Sequence, residues 1–349
     1  MTDRVGRTQQ ALKTVMQGGI LDIPTARQLG EDIASGELPP ELVGAILTAL
    51  AMRGEAPPEI AGLADAMRSQ ARRVEHPLTQ KAVDTCGTGG DGFHTWNVST
   101  AAAFVVSSLG VPVVKHGNRA VSSRCGSADV LQALGIVWPD TPEKAAQLLQ
   151  DTHFTFLFAP YFHPAMKAVA PVRRNLGIRT IFNVLGPLTN PAFVRYQVIG
   201  VFRRDLLERL APVFAHLGHE RVLLVHHETG MDEAASFGQT YVVRVERRGT
   251  DVTFQEDCLD PRAWGFGFGS VEDLQGGSPE ENAQIIGDLL RNQDRGPRRD
   301  TLLVNSALAL WVAGQVATIE EGLARAEEAL TSGRAYDQLE RLRRWSGLP

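Results

Sequence analysis

The stretch Gly87-Thr88-Gly89-Gly90-Asp91-Gly92 constrains this chain more than any other. It follows a short apolar run, Ala82-Val83, that ends in Asp84-Thr85-Cys86. It leads through Thr95, Asn97, Val98, Ser99 and Thr100 into Ala101-Ala102-Ala103-Phe104-Val105-Val106. The order predicts a strand, a glycine-rich loop and a buried helix, with Ser99 as the helix N-cap. Bare backbone N–H groups next to a helix N-terminus suit phosphate. Four glycines permit positive φ and let a ligand touch the main chain. Taken alone, the stretch is also compatible with a plain glycine turn between a strand and a helix. The rest of the chain decides between the two.

With 349 residues, 43% hydrophobic and 21% charged, the chain has room for one large domain and a small one. A net charge of −5 provides no basic face for duplex nucleic acid. Cys86, Cys125 and Cys258 are odd in number and far apart, so reduced intracellular thiols are expected rather than a disulfide framework. No apolar run approaches bilayer length, and the start Met1-Thr2-Asp3-Arg4 leads into a polar, helix-like segment without a signal-peptide pattern. The expectation is a cytoplasmic protein with neither membrane nor nucleic acid as partner.

Residues 1–78 read as a small all-helical domain. Pro24-Thr25, Pro39-Pro40 and Pro57-Pro58 each open a helix, with Leu42, Ile46 and Leu50 on one face of the second and Ile60, Leu63 and Met67 on one face of the third. Such helices bury little alone, so they should pack on a later segment or on another subunit. Residues 79–349 read as a larger α/β domain with a mostly parallel central sheet. Apolar runs at 111–114, 154–158, 198–202 and 222–225 alternate with helical segments at 127–134, 142–151 and 205–217. A hairpin follows around Arg248-Gly249-Thr250, and Ser278 with Glu281 marks a capping box. Two further helices, near 300–313 and 318–331, complete the expected order. The segment 163–190 reads helical, then irregular around Gly186-Pro187-Leu188, and is expected to return to the helical domain.

Four other clusters carry chemical potential. Lys115-His116-Gly117-Asn118-Arg119-Ala120-Val121-Ser122-Ser123 directly follows a predicted strand, where open α/β sheets bind ligands. Lys115 and Arg119 suit a polyanion, Ser122 and Ser123 can bond phosphate oxygens, and only five lysines exist in the chain. Asp232-Glu233 are hard oxygen donors of the kind that hold Mg²⁺ together with substrate phosphate; alone they also fit an acidic surface turn. His226-His227 point to opposite faces of a strand and lack a third ligand, so zinc is disfavoured. Arg173, in Pro171-Val172-Arg173-Arg174 after His163-Pro164-Ala165-Met166-Lys167, can clamp a carboxylate. The chain has no nucleophile motif and no P-loop lysine, which points to catalysis by positioning and charge stabilisation.

These motifs together resemble the anthranilate phosphoribosyltransferases. The likeness rests on G-T-G-G-D-G, N-x-S-T, K-H-G-N-R-x-x-S-S, H-P-A-M-K, P-V-R-R, R-T-I-F-N-x-L-G-P-L-T-N-P-A and G-x-D-E, in the family's order and spacing, with Asn305-Ser306-Ala307 a weaker match. The resemblance implies transfer of the 5-phosphoribosyl group from phosphoribosyl pyrophosphate to the amine of anthranilate, in tryptophan biosynthesis. It also implies Mg²⁺, two ions per subunit, a homodimer formed through the helical domain, and a fold shared with pyrimidine nucleoside phosphorylases.

By position, Gly87, Gly90, Asp91, Thr95, Asn97, Val98, Ser99 and Thr100 match the loop for phosphoribosyl pyrophosphate. Lys115 to Ser123 match a second loop for it, and Ser127 a further contact. Ser99, Asp232 and Glu233 match metal ligands. Gly87, Asn118 and Arg173 match anthranilate-binding positions, and His116 and His163 match the wall of its channel. Lys115 and Arg173 are the expected charge-stabilising and positioning groups. Trp96, Cys125, Gln132 and Ala234-Ala235-Ser236 depart from the usual family pattern without removing any assigned group. A nucleoside phosphorylase of the same fold is the alternative, disfavoured by Asn118 and Arg173 in their motifs.

Overall fold

The computed structural model describes residues 2–120 and 124–347; Val121, Ser122 and Ser123 of the second loop lie outside the described residues. The chain begins with helices α1 (Thr2–Met16), α2 (Ile23–Ala34), α3 (Pro40–Arg53) and α4 (Pro57–Ser69). Prolines in the first turn of α2, α3 and α4 start them where a missing N–H costs nothing. Asp22 caps α2 by accepting from Thr25 N at 2.9 Å. Buried Glu59 ties the bundle together through the N–H groups of Leu21 (3.0 Å) and Ala56 (2.8 Å) and the guanidinium of Arg53.

Strands and helices then alternate: β1 (Val83–Gly87), α5 (Val98–Ser108), β2 (Val113–Gly117), α6 (Ser127–Ala133), α7 (Pro142–Thr152) and β3 (Phe154–Phe158). After the short α8 (Ala159–Phe162) come α9 (Met166–Leu176) and α10 (Phe182–Leu188), then β4 (Tyr196–Gly200), α11 (Asp205–His216) and β5 (Arg221–His227). The hairpin β6 (Thr240–Arg248) and β7 (Asp251–Leu259) leads to α12 (Pro279–Leu290), α13 (Pro297–Val312), α14 (Ile319–Thr331) and α15 (Arg334–Trp345). The seven strands form one sheet in the order β3-β2-β1-β4-β5-β6-β7. The first five are parallel; β6 and β7 add antiparallel pairs at one edge.

Alternation along the strands feeds two cores. Val198, Leu223 and Val225 face one side, where α5 and α12 to α15 pack. Ile199, Val201, Val222 and Leu224 face the other, where Leu206, Leu210 and Phe214 of α11 meet Ile46, Leu47, Leu50 and Leu63 of the helical bundle. The bundle thus packs on a later segment of its own chain. Each fully buried Leu or Phe adds roughly 1.5–3 kcal/mol. Val169 of α9 and Ile181, Phe182 and Leu185 of the α10 region join this second core.

Four expectations need correction. Gly186-Pro187-Leu188 is helical, as the last turn of α10. The strand before the second loop runs on through Lys115 and His116 to Gly117. Ser99 does not cap α5: the helix starts at Val98, and Asn97 is the flanking residue. The chain also has a helix beyond residue 331, α15, which buries Ala335, Leu339 and Leu342.

Candidate functional site

β1, β4 and β5 are parallel neighbours, so their carboxyl ends open on one sheet edge, where ligands bind in this architecture. A cleft of about 170 Å³ lies there. Gly87, Gly90, Asp91, Thr95, Asn97, Ser99, Ser127, Asp232 and Glu233 all line it. The loop after β1 turns through Gly89 (φ +64°) and Gly90 (φ +80°), which a side chain would strain. Gly89 N then donates to Asp232 Oδ2 at 2.7 Å, and Asp232 N donates to Asp91 Oδ2 at 3.3 Å. Two glycines make this meeting possible. A Cβ on Gly87 would stand 2.6 Å from Asp232 Oδ2, and one on Gly200 would stand 1.5 Å from Asp232 O.

The carboxylates are electrostatically unsettled. Burial, then the charge of Asp91, pushes Asp232 up to about 7. Burial, then Asp232 and Asp91, holds Glu233 well above the usual carboxylate range. Glu233 Oε2 is buried and has no hydrogen-bond partner among the described residues. Buried acids of this kind call for a cation. Among the described residues no three carboxylate, imidazole or thiolate side chains converge on one point. A donor set of two carboxylates and a hydroxyl fits Mg²⁺, which completes its shell with water and substrate phosphate.

Freed from capping, Ser99 accepts at Oγ from Lys115 Nζ at 3.1 Å. Asn97 is held by Cys125 O at 3.2 Å and by Asn282 Nδ2 at 2.9 Å. Val98 and Thr100 are buried in the first turn of α5. Lys115, 1% exposed, also donates to Thr85 O. Burial lowers its pKa, and Asp84 behind it opposes that shift. Asp84 accepts from Asn190 Nδ2 (2.9 Å), Gln197 Nε2 (3.2 Å) and His116 N (3.4 Å).

The second loop folds over the start of α6. Ala128 N donates to Asn118 O at 3.2 Å, and Ala120 N donates to Asp129 Oδ2 at 2.8 Å. Gly126 lies so close beneath that a Cβ would meet Ala120 N at 2.4 Å, and a Cβ on Gly117 would meet the Phe156 ring at 2.9 Å. Arg119 does not line the cleft. Its guanidinium is paired with Asp129 at 2.8 Å and with Gln132 Oε1 at 2.7 Å.

The remaining predicted residues form a second group. His116 and His163 pack ring to ring at 5.1 Å, and His116 Nδ1 faces Gly186 O at 3.2 Å. Nε2 of each is buried without a partner among the described residues. Burial, then His163, brings His116 down to about 3, and burial brings His163 to about 4, so both are neutral bases near neutral pH. His163 and Phe182 line a small apolar hollow between α2, α4 and α9. The guanidinium of Arg173 lies 5.4 Å from the centre of the Phe182 ring. The structure thus places these residues in two groups on opposite faces of β2: Ser99 with Lys115 beside the glycine loop, and His116, His163, Phe182 and Arg173 toward α9.

Sequence reasoning missed Gly200 and Arg179. A glycine inside the run Val198-Ile199-Gly200-Val201-Phe202 signals close backbone approach, and that signal was present. Arg179, which opens the R-T-I-F-N motif but had no role assigned to it, donates to Gly90 O and stacks 4.2 Å from the Phe202 ring centre.

Comparison with known proteins identifies the family. Residues 79–336 match a model described as glycosyl transferase family, a/b domain, and residues 9–71 match the glycosyl transferase family, helical bundle domain. The anthranilate phosphoribosyltransferase of Thermomicrobium roseum is 47% identical over 332 residues, covering 95% of each chain. That of Clostridium kluyveri is 45% identical over 95% of this chain and 98% of its own. The crystal structure of the Thermus thermophilus enzyme superposes with a TM-score of 0.87 at 42% identity, covering 97% of this chain and 99% of its own. The Saccharomyces cerevisiae enzyme in complex with phosphoribosyl pyrophosphate and Mg gives 0.87 at 29% identity, with 97% and 98% covered. By its two domain matches and its full-length relatives, the chain belongs to the anthranilate phosphoribosyltransferase family.

Proposed function

We infer that this chain carries out the reaction its family is named for. It transfers the 5-phosphoribosyl group of phosphoribosyl pyrophosphate to the amine of anthranilate, giving N-(5-phosphoribosyl)anthranilate and pyrophosphate, a step of tryptophan biosynthesis. The observation that carries this reading is the shared cleft of the glycine loop and the Asp232–Glu233 pair, with Glu233 Oε2 buried and without a partner among the described residues.

In this reading Gly87 to Thr100 hold the donor sugar, with Lys115 to Ala120 and Ser127 beside them. Asp232, Glu233 and Ser99 hold Mg²⁺, two ions per subunit. Held by these residues, Mg²⁺ would supply positive charge against the leaving pyrophosphate. Backbone N–H groups of the glycine loop other than that of Gly89, which Asp232 already occupies, would stabilise charge as it develops on the leaving group. The sugar becomes oxocarbenium-like as C1–O breaks. The anthranilate amine attacks from the opposite face and needs little help from a base, which fits the lack of a catalytic nucleophile or base motif. Arg173 fixes the anthranilate carboxylate, with Asn118, Gly87 and the neutral rings of His116 and His163 completing its path.

Residues 1–78, joined by 163–190, form the helical unit in this reading, and 79–349 the unit that holds the sugar. The helical unit faces its copy in a homodimer. Support comes from Met16 (73% exposed), Ile20 (61%) and Met52 (84%), large apolar side chains on or beside α1 and α3. Among the described residues no helix is long and apolar enough to cross a membrane. A fluorescence assay of anthranilate consumption tests the activity. Consumption that requires both phosphoribosyl pyrophosphate and Mg²⁺ supports it, and phosphorolysis of thymidine or uridine in its place refutes it.

A further inference from the structure

Asn305 sits on α13, far in sequence from the motifs of the cleft, yet it lines the cleft at 8% exposure. Both hydrogens of its side-chain amide are committed: Nδ2 donates to Ala234 O at 2.6 Å and to Thr301 O at 2.8 Å. Ala234 directly follows the acid pair. The same helix grips the next residues. Ser236 N donates to Thr301 Oγ1 at 3.1 Å, and Ser236 Oγ donates to Pro297 O at 3.2 Å. On the other side, Asp232 O is closely packed against Gly200. The two acidic residues therefore lie on a short backbone span fixed at both ends. Glu233 needs that support, because among the described residues its Oε2 has no partner to orient it.

We propose that Asn305 is a positioning residue for the Asp232–Glu233 pair: its bond to Ala234 O aims the carboxylates and thereby sets the affinity for a divalent cation that Asn305 does not itself touch. The inference rests on the reading of Asp232 and Glu233 as cation ligands. Groups that orient ligands in this way commonly contribute about 10- to 100-fold in metal affinity.

The test is Mn²⁺ binding to the full chain in the presence of pyrophosphate, read from the electron paramagnetic resonance signal of free Mn²⁺. Asn305→Asp keeps size and shape but cannot donate to Ala234 O; Asn305→Leu removes the polar group. Asp232→Asn is measured alongside, and circular dichroism selects folded variants. The expected result is a loss of about 10- to 100-fold in Mn²⁺ affinity in every folded Asn305 variant, with the anthranilate KM unchanged. Unchanged Mn²⁺ affinity in Asn305→Asp, while Asp232→Asn binds weakly, overturns this inference alone. Tighter binding by Asn305→Asp also overturns it, since residue 305 would then be a ligand. Full binding by Asp232→Asn overturns the underlying reading instead.

Discussion

Gly89 donates its backbone N–H to Oδ2 of Asp232 across 2.7 Å, although 143 residues separate the two. The bond joins the phosphate-type loop after β1 to the acidic turn after β5, over the end of β4 that lies between them. Gly200, the last residue of β4, leaves the space for that crossing.

Gly200→Ala should therefore be severe. A Cβ would lie 1.5 Å from a backbone oxygen, which cannot rotate away. Overpacking of this kind costs about 1–3 kcal/mol, or more. Thermal denaturation should show that loss, and Mg²⁺-dependent turnover should fall with it. Gly6→Ala in α1, where a Cβ meets nothing within 4 Å, should instead leave stability unchanged or raise it.

Arg179 couples the segment after α9 to the glycine loop through Gly90 O while lying on the Phe202 ring. A hydrogen bond from a charged donor is worth about 1.5–3 kcal/mol. Arg179→Ala should raise the KM for phosphoribosyl pyrophosphate roughly 10-fold or more. Arg179→Lys should not restore it, because lysine lacks the planar group that stacks and donates together. Steady-state kinetics of the two variants checks both statements.

Arg173 has a different expected signature. Arg173→Ala should raise the anthranilate KM by about 10- to 100-fold and change the KM for the sugar donor little. Equal effects on both substrates would remove Arg173 from its assigned place.

Acid should expose the buried histidines. The ordinary value is 6.5, whereas His116 is held at about 3 and His163 at about 4. Between pH 6.5 and about 4 the unfolded chain binds protons at these sites and the native chain does not, so their contribution to stability falls as pH falls. Each contributes up to about 1.4 kcal/mol per pH unit in that window. Asp232 and Glu233, whose pKa values are raised, act in the opposite sense. Urea denaturation of wild type and His116→Gln isolates the histidine: the stability of the variant should fall less steeply between pH 6 and about 4.

Much of this was legible before any coordinates. Apolar runs alternating with helical segments located β3 and β5, and proline punctuation located α2, α3 and α4. Ser99 misled because serine is a favoured cap, but Asn97 (φ −72°, ψ 67°) already leads into the helix and is held instead by Cys125 and Asn282. α15 was missed because its charged composition hides an apolar stripe of Ala335, Leu339 and Leu342. The pairing of Arg119 with Asp129 and Gln132 could not be read from the sequence, because those partners lie on a helix that only folding brings beside it. Gly200, Arg179 and Asn305 stand in patterns visible in the sequence, but they act through backbone atoms of distant segments, so their roles emerge only in the folded chain.

The account stands most directly on calorimetric titration of phosphoribosyl pyrophosphate into the wild-type chain and Asp232→Asn, with Mg²⁺ and with a chelator. Wild type should bind strongly with Mg²⁺ and far more weakly with the chelator, and Asp232→Asn should lose most of that difference. Equal binding by both proteins, with or without the metal, would contradict the assignment of the cleft.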